Sequence, residues 1–219
     1  TTICHGVLVI FKFFKIINIK KKIKDKKKFS ISIEFKKYVI YDIPISFKSL
    51  NKSAEKNIYH LFQNKELVAI ININNTYKEI ENKIKKATKS AKIIPSKKFN
   101  SFYNKLNIKT SLGIILSNLS KYAGNIYPGE NSIIKKIDIE FNIFKNNTKK
   151  VILINSKLVD KRLPLIKNRL TFENYVVNFN TLIRPKLRIN FQKPNDKILK
   201  LINKIENNIL ILGASSGIG

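Results

Sequence analysis

The 219-residue sequence contains no methionine and no tryptophan, and it has a single cysteine, Cys4, with only two histidines. One thiol cannot form a disulfide within the chain, which favours a reducing compartment. One cysteine and two histidines also fall short of the four ligands that a structural zinc site usually takes. We therefore expect neither an internal disulfide nor a metal.

Long hydrophobic runs are also missing. Crossing a bilayer takes about 20 consecutive apolar residues, whereas the apolar stretch from Val7 to Ile19 is interrupted by Lys12, Lys15 and Asn18. Because the charges follow the apolar part instead of preceding it, this stretch is not typical of a signal peptide. Both absences favour a cytoplasmic protein without a membrane partner.

Acidic residues are scarce, with 14 Asp and Glu against 43 Lys and Arg, which gives a net charge of +29. Such a charge is typical of nucleic-acid or membrane-surface binding. Only four basic residues are Arg, however, and the lysines are spread along a chain rich in Ile and Asn, as an AT-rich genome would encode. Arg is the better phosphate ligand because its planar fork pairs two oxygens. We therefore expect no nucleic-acid partner, and a basic nucleic-acid binder is the last alternative.

The densest basic run, Lys20–Lys28, lies between a helical and a strand-like segment. A run of like charges is usually solvated. It is interpreted as a solvated loop.

The sequence ends in a glycine pattern. Residues 209–212 read Ile-Leu-Ile-Leu, a short buried strand, and Gly213, Gly217 and Gly219 follow with the spacing Gly-x-x-x-Gly-x-Gly. A strand followed by glycines that open a helix is the context of a dinucleotide-binding turn. There the first glycine makes the tight turn, the second admits the pyrophosphate and the third permits close packing of the helix.

The full pattern, Gly-Ala-Ser-Ser-Gly-Ile-Gly, resembles the cofactor turn of short-chain dehydrogenases/reductases. The resemblance implies that NAD(P) is bound by Gly213, Ser215, Ser216, Gly217, Ile218 and Gly219. The catalytic Ser, Tyr and Lys of that family would lie downstream of Gly219. We therefore expect this chain to be a fragment of a longer enzyme, and to be inactive by itself in that reduction.

An internal repeat relates the two halves of the chain. Ile33-Glu34-Phe35 recurs as Ile139-Glu140-Phe141, an offset of 106 residues that also places His5 opposite Ser111. A fixed offset of about a hundred residues is a usual domain length. The pattern predicts two similar structural units in tandem.

Each unit begins with an apolar helix, predicted at Gly6–Ile17 and Leu112–Tyr122, and continues with an alternating strand at Phe29–Phe35 and Ile133–Phe141. Further strands are predicted at Tyr38–Phe47, Glu66–Ile73, Lys150–Val159 and Leu170–Leu182. A buried helix wrapped by an antiparallel sheet is the hotdog architecture. The predicted fold class is α+β, a double hotdog followed by the first strand and turn of a truncated Rossmann domain.

Residues 3–9, Ile-Cys-His-Gly-Val-Leu-Val, resemble the start of the central helix in MaoC-like dehydratases and (R)-specific enoyl-CoA hydratases. The resemblance implies a homodimer acting on acyl-CoA or acyl-carrier-protein thioesters, with the Gly6 N–H polarising the thioester carbonyl and His5 beside it. The Asp-x-Asn-Pro-x-x-His stretch of that family would precede Thr1, so His5 is given a supporting role. The second half resembles a degenerate copy without the histidine.

The predicted domains are a first hotdog half at 1–90, a second half at 91–184, a linker with a short helix at 185–207, and the start of a Rossmann domain at 208–219. The predicted function is a hydratase or dehydratase of acyl thioesters joined to an NAD(P)-dependent 3-oxoacyl reductase. A non-catalytic acyl-binding or dimerising hotdog module remains the main alternative.

Overall fold

The computed structural model of the chain describes residues 6–23, 26–40, 43–52, 56–75, 84, 87–96, 99–129, 132–144, 151–160 and 164–183. The chain divides into two compact units, 1–184 and 185–219, and every described residue belongs to the first. His5, the linker and the glycine pattern with its six predicted NAD(P) contacts lie outside the described residues.

Nine strands form one sheet in which each neighbouring pair is antiparallel, in the order β2-β3-β4-β1-β6-β9-β8-β7-β5. The strands are β1 Lys28–Phe35, β2 Ser46–Lys52, β3 Lys56–Gln63, β4 Glu66–Asn74, β5 Lys89–Ile93, β6 Ser132–Asn142, β7 Ile152–Asp160, β8 Leu165–Phe172 and β9 Tyr175–Ile183. The helices are α1 Gly6–Ile16, α2 Ile19–Ile23, α3 Asn100–Lys105 and α4 Thr110–Lys121, and α4 continues into a π-helical turn, Tyr122–Ile126.

One face of the sheet is apolar because hydrophobic residues alternate along its strands. In β1 every second side chain is buried, from Phe29 through Ile31 and Ile33 to Phe35. Successive side chains of a strand point to opposite faces, so this alternation directs all four residues to the same side. The helices pack against that side and complete the core.

Helix α1 is buried around most of its circumference. Its buried residues are Val7, Val9, Ile10, Phe11, Phe13 and Phe14. The ring of Phe13 meets the rings of Tyr59 on β3 and Phe47 on β2, with centroids 5.2 and 5.7 Å apart. Burying such a side chain contributes about 1.5–3 kcal/mol. A buried apolar helix on a large antiparallel sheet is the hotdog arrangement that the sequence predicts.

The two sequence repeats meet at the centre of the sheet, where β1 pairs with β6. Ser32 lies opposite Asp138, and its hydroxyl donates a 2.6 Å hydrogen bond to that carboxylate, across a separation of 106 residues. Outward from this pair the sheet reads β1-β4-β3-β2 on one side and β6-β9-β8-β7 on the other, where β5 adds a further strand at the edge. An approximate twofold axis therefore passes near Ser32 and Asp138, at the offset of the sequence repeat.

The prediction of a strand at Tyr38–Phe47 is wrong for most of that segment. The described part of this segment is irregular up to Ile45, and β2 begins only at Ser46. The buried side chain of Gln63 accounts for this, because it accepts a hydrogen bond from the Ile40 N–H and donates to the carbonyls of Ile40 and Ile43. These bonds replace those that a neighbouring strand would supply.

Two other local predictions need correction. The segment Leu170–Leu182 contains two strands, β8 and β9, joined by a turn in which Glu173 has a φ of 49°. The turn lacks the glycine that usually marks such a hairpin. The first lysines of the run at 20–28 lie in helix α2 instead of a loop, although Lys20, Lys21 and Lys22 are exposed, as predicted.

Candidate functional site

Gly6, one of the two predicted catalytic residues, is the first residue of α1. The first N–H groups of a helix have no acceptor within it, and the helix dipole places a partial positive charge there. A Cβ at Gly6 would lie only 3.0 Å from Cζ of Phe35. Glycine therefore allows a close approach of α1 to Phe35 on β1, and a larger residue would require that ring to shift slightly.

A cavity of about 180 Å³ adjoins Phe35, at the seam where β1 ends and β6 begins. Its lining combines apolar and aromatic side chains with three lysines: Phe35, Tyr38, Ile133, Ile134 and Leu182 with Lys36, Lys37 and Lys135. Both repeats contribute to it. The cavity combines an apolar wall with three lysines, and one of its lining residues, Phe35, also lies close to Gly6 at the start of α1.

Ion pairs at the cavity rim are weak enough to exchange for a ligand. Lys36 contacts Glu34 at 2.6 Å and Lys37 contacts Glu66 at 2.9 Å, with all four side chains well exposed. The hydrogen bond from Lys36 holds the pKa of Glu34 below its usual value, against an opposing effect of burial, and the charge of Lys135 adds to the lowering. Exposed pairs contribute little to stability. An anionic group at the rim can therefore replace these carboxylates at low cost.

The start of α4 repeats part of this geometry in the second half. Phe141 on β6 is the repeat equivalent of Phe35, and Nζ of Lys109, the residue before α4, lies 4.5 Å from the centre of its ring. The side chain of Lys109 does not cap the helix. Both helices therefore begin next to equivalent phenylalanines, and the second carries a cation at that place.

A polar cluster surrounds the start of α4. The hydroxyl of Ser111 donates a 2.7 Å hydrogen bond to Oε2 of Glu173 in the β8–β9 turn. Burial lowers the pKa of Lys109, and the charge of Glu173 partly opposes that effect. Both Lys109 and Glu173 are half-buried. A carboxylate, a hydroxyl and an ammonium thus converge on one helix terminus.

Tyr175 lies deeper in the same region. It is 1% exposed, and its hydroxyl has no hydrogen-bond partner among the described residues. Burial raises the pKa of Tyr175, and the nearby charge of Glu173 raises it further. Its ring lies 4.9 Å from that of Phe141. The hydroxyl therefore stays protonated at neutral pH, and within the described part of the chain it is a buried donor without an acceptor.

The far end of α4 is anchored by a buried polar network. The Tyr122 hydroxyl lies 2.7 Å from Ser156, whose own hydroxyl donates a 2.6 Å hydrogen bond to Oδ1 of Asn168. Nδ2 of Asn168 donates to the Phe179 carbonyl and to the hydroxyl of Thr181. Burial raises the pKa of Tyr122. The network ties the helix to β7, β8 and β9 and so fixes its position.

Sequence reasoning found part of these two regions. It identified Gly6, and it related Ser111 to His5 through the repeat. It missed Lys109, Glu173 and Tyr175, because no local pattern shows that a turn at 173 and a strand residue at 175 meet a helix that begins at 110. The repeat offset of Phe35 and Phe141 was the one available signal for the location.

The described part of the chain contains no group of three or more His, Cys, Asp or Glu side chains arranged to hold a metal ion. Within the same residues no helix is long and apolar enough to cross a membrane.

Comparison with known proteins places the chain by fold. No family model and no curated protein matches it. It is similar to an acyl-ACP thioesterase from Bacteroides thetaiotaomicron, with 6% identity, a TM-score of 0.50, and coverage of 83% of this chain and 90% of that one. A hot dog fold protein of unknown function from Alicyclobacillus acidocaldarius has 5% identity and a TM-score of 0.47, and the match covers 83% of this chain and 87% of that one. A MaoC-like dehydratase from Phytophthora capsici has 9% identity and a TM-score of 0.42, and the match covers 73% of this chain and 72% of that one. At these identities the likeness concerns the fold alone, and it agrees with the hotdog arrangement.

Proposed function

We propose that this chain is a double hotdog module that binds an acyl thioester and adds or removes water at its double bond. The single observation that carries the proposal is the cavity at the seam of the two repeats, with its apolar wall and lysine rim, next to the start of α1. A double hotdog is supported by the matching strand order on either side of the central β1–β6 pair.

The cavity suits a short acyl chain joined to an anionic carrier. Apolar side chains such as Phe35 and Leu182 would contact the acyl group, and Lys36, Lys37 and Lys135 would meet phosphate groups of coenzyme A or of a carrier-protein arm. Pockets for drug-sized ligands usually hold about 300–1,000 Å³. A cavity of about 180 Å³ therefore favours a short chain.

Hydration of an enoyl thioester places negative charge on the thioester oxygen while water adds to the β-carbon. A fixed N–H at a helix start stabilises that charge because it needs no reorganisation during the reaction. We assign this role to Gly6. His5, which precedes it, would help to orient the water or the substrate.

The second part of the proposal is that the parent protein also carries a short-chain reductase. It is supported by the glycine pattern at 213–219, which lies outside the described residues, and no step is assigned to it. Reduction of a 3-oxoacyl thioester yields the 3-hydroxyacyl compound that a dehydratase consumes, so the two reactions are neighbours. A non-catalytic acyl-binding module would retain the cavity and lack the turnover.

The test is hydration of a short trans-2-enoyl-CoA, followed by the loss of absorbance of the conjugated thioester. Gly6→Pro removes the N–H, and proline is tolerated in the first turn of a helix. Gly6→Ala is the matched control, because it keeps the N–H while adding the same Cβ against Phe35. We expect Gly6→Pro to lose about 100-fold or more in turnover, and Gly6→Ala to lose far less.

Circular dichroism would establish that both Gly6 variants are folded. Equal losses in the two variants would refute the oxyanion role of the Gly6 N–H. Binding of the enoyl-CoA without any turnover, over a range of chain lengths, would leave the module as a non-catalytic binder.

A further inference from the structure

We propose that one end of the sheet binds the surface of an anionic lipid membrane. The site, which we call the β6-turn surface, consists of Lys26, Lys27, Lys28, Ile143 and Phe144. The sequence predicts no membrane partner because no stretch is long enough to cross a bilayer, but a protein that only lies on a bilayer needs no such stretch. This surface is independent of the proposed function.

Two adjacent large apolar side chains are exposed in the turn that follows β6. The exposed fraction is 46% for Ile143 and 67% for Phe144, whereas Phe141, two residues before Ile143, is buried. An apolar residue exposed by itself needs no explanation, but apolar side chains exposed together indicate an interaction surface. The turn therefore offers an apolar pair that the core of the protein does not use.

Hydrogen bonds hold this turn beside the lysines. The Ile143 N–H donates to the Lys27 carbonyl at 3.0 Å, and the Phe144 N–H donates to Oδ1 of Asn142 at 3.0 Å. Nζ of Lys28 lies 5.5 Å from the centre of the Phe144 ring. Because the turn is already ordered, little conformational entropy is lost when its side chains enter a bilayer.

Positive charge is concentrated next to the apolar pair. Six exposed lysines lie in the nine residues that lead from α2 into β1, namely Lys20, Lys21, Lys22, Lys26, Lys27 and Lys28. A cluster of about four to eight basic residues is typical of anionic-lipid binding, and each one near the membrane strengthens binding about fivefold. Among the described residues no carboxylate forms an ion pair with Lys26 or Lys27. Their charge is therefore available to lipid headgroups.

This combination fits a membrane better than it fits the other partners of a basic protein. Anionic headgroups would meet the lysines, and Ile143 and Phe144 would enter the boundary between headgroups and acyl chains. A nucleic acid would meet the lysines but leave the aliphatic Ile143 in water, since its bases stack on aromatic rings. A second copy would bring two lysine clusters together in a chain of net charge +29.

Co-sedimentation of the full chain with vesicles is the first test. One set of vesicles contains phosphatidylcholine and phosphatidylserine in equal parts, and the other contains phosphatidylcholine alone. We expect binding to the anionic vesicles to exceed binding to the neutral ones by at least about tenfold. Raising the salt from about 0.1 M to about 1 M should weaken it, because the Debye length falls from about 10 Å to about 3 Å.

The apolar and the charged contacts are tested separately. Phe144→Ser should weaken binding to anionic vesicles about tenfold, because it removes an apolar side chain from the lipid. Val159→Ser is the matched control, since Val159 is 47% exposed near the end of β7, at the opposite end of the sheet. The double variant Lys26→Gln, Lys27→Gln should weaken binding about 25-fold.

The control for charge is the double variant Lys157→Gln, Lys167→Gln. It removes the same two charges from exposed positions that lie opposite each other on β7 and β8. We expect it to weaken binding much less than the loss of Lys26 and Lys27. Circular dichroism would establish that every variant is folded.

A fluorescence measurement reports entry into the bilayer directly. The chain contains no tryptophan, so Phe144→Trp introduces a single reporter, and tryptophan is favoured at membrane interfaces. Its emission should shift to shorter wavelength when anionic vesicles are added, and lipids brominated in the acyl chain should quench it. Val159→Trp should show neither change.

Three results would overturn the inference. Equal binding to both kinds of vesicle, or binding to neither, excludes an anionic membrane. Binding that Phe144→Ser leaves unchanged, with no shift in the emission of Phe144→Trp, excludes entry of the apolar pair. Tighter binding to a duplex DNA of mixed sequence, lost in Lys26→Gln, Lys27→Gln and kept in Phe144→Ser, would assign the surface to nucleic acid instead.

Discussion

Replacing Asn168 by Leu should destabilise the protein by about 4 kcal/mol, although the two side chains are close in size. Asn168 is 2% exposed and connects four groups: it accepts from Ser156 at 2.6 Å, and it donates to the Phe179 carbonyl at 3.1 Å, to Thr181 at 3.2 Å and to the Ile166 carbonyl at 3.3 Å. Each net hydrogen bond is worth about 1 kcal/mol, and each buried polar group left without a partner costs about 1–3 kcal/mol. Leucine removes these hydrogen bonds and leaves the buried polar partners of Asn168 without them.

Urea unfolding followed by circular dichroism would measure this loss, which corresponds to a Tm decrease of about 10 °C for a chain of this size. An unchanged m-value would show that the folded state has kept its compactness. Asn180→Leu is the matched control, because Asn180 lies on β9 at a partly exposed position. We expect that change to stay within about 0.5 kcal/mol.

Ser156 and Asn168 should also be energetically coupled, because they share a hydrogen bond. The double variant Ser156→Ala, Asn168→Leu should lose less free energy of unfolding than the sum of the two single losses, by at least about 1 kcal/mol. Fewer buried polar groups are left without a hydrogen bond in the double variant. The account of the network would be refuted if Asn168→Leu cost under about 1 kcal/mol. Additive losses in the double variant would refute it equally, since they would mean that Ser156 and Asn168 act independently.

Gly113→Ala should destabilise the protein by about 1–3 kcal/mol, because its Cβ would lie 2.5 Å from the ring of Tyr103. Helix propensity alone would favour alanine by about 1 kcal/mol, so a Gly113→Ala protein that is more stable in urea unfolding would refute the close contact. Adding Tyr103→Leu to Gly113→Ala should recover part of the lost stability. Tyr175→Phe should stabilise the protein by about 1 kcal/mol at neutral pH, because it removes a buried hydroxyl that has no partner among the described residues. It should also remove a decline in stability that the wild type shows above about pH 10: the unfolded tyrosine loses its proton there, while burial and Glu173 keep the pKa of folded Tyr175 higher. Unfolding free energies at about pH 9 and about pH 11 check this, and parallel pH profiles of the two proteins would contradict it.

Local pattern was sufficient for most of the secondary structure. The alternation of Phe29–Phe35 predicts β1, and the unbroken apolar character of Gly6–Ile17 predicts a buried helix, because each depends on a period carried by adjacent residues. Two of the three corrected predictions failed because of features that the local sequence pattern does not show. Gln63, which is distant in sequence, bonds to Ile40 and Ile43 and so keeps the described residues before Ser46 out of a regular strand, and the turn at Glu173 uses a left-handed residue without the usual glycine.

The amino-acid sequence by itself was sufficient to predict the hotdog arrangement of a buried helix on an antiparallel sheet, which follows from periodicity, and it contains a repeat at an offset of 106 residues. The tertiary structure alone decided which polar groups meet. Ser111 and Glu173 are 62 residues apart and touch only because α4 packs on the strands next to the β8–β9 turn. The same packing buries the Tyr175 hydroxyl, for which the residues that the structure describes offer no acceptor. Strand register and helix packing determine these contacts, and a shift of the strand register by one residue would turn the strand's side chains to the other face of the sheet.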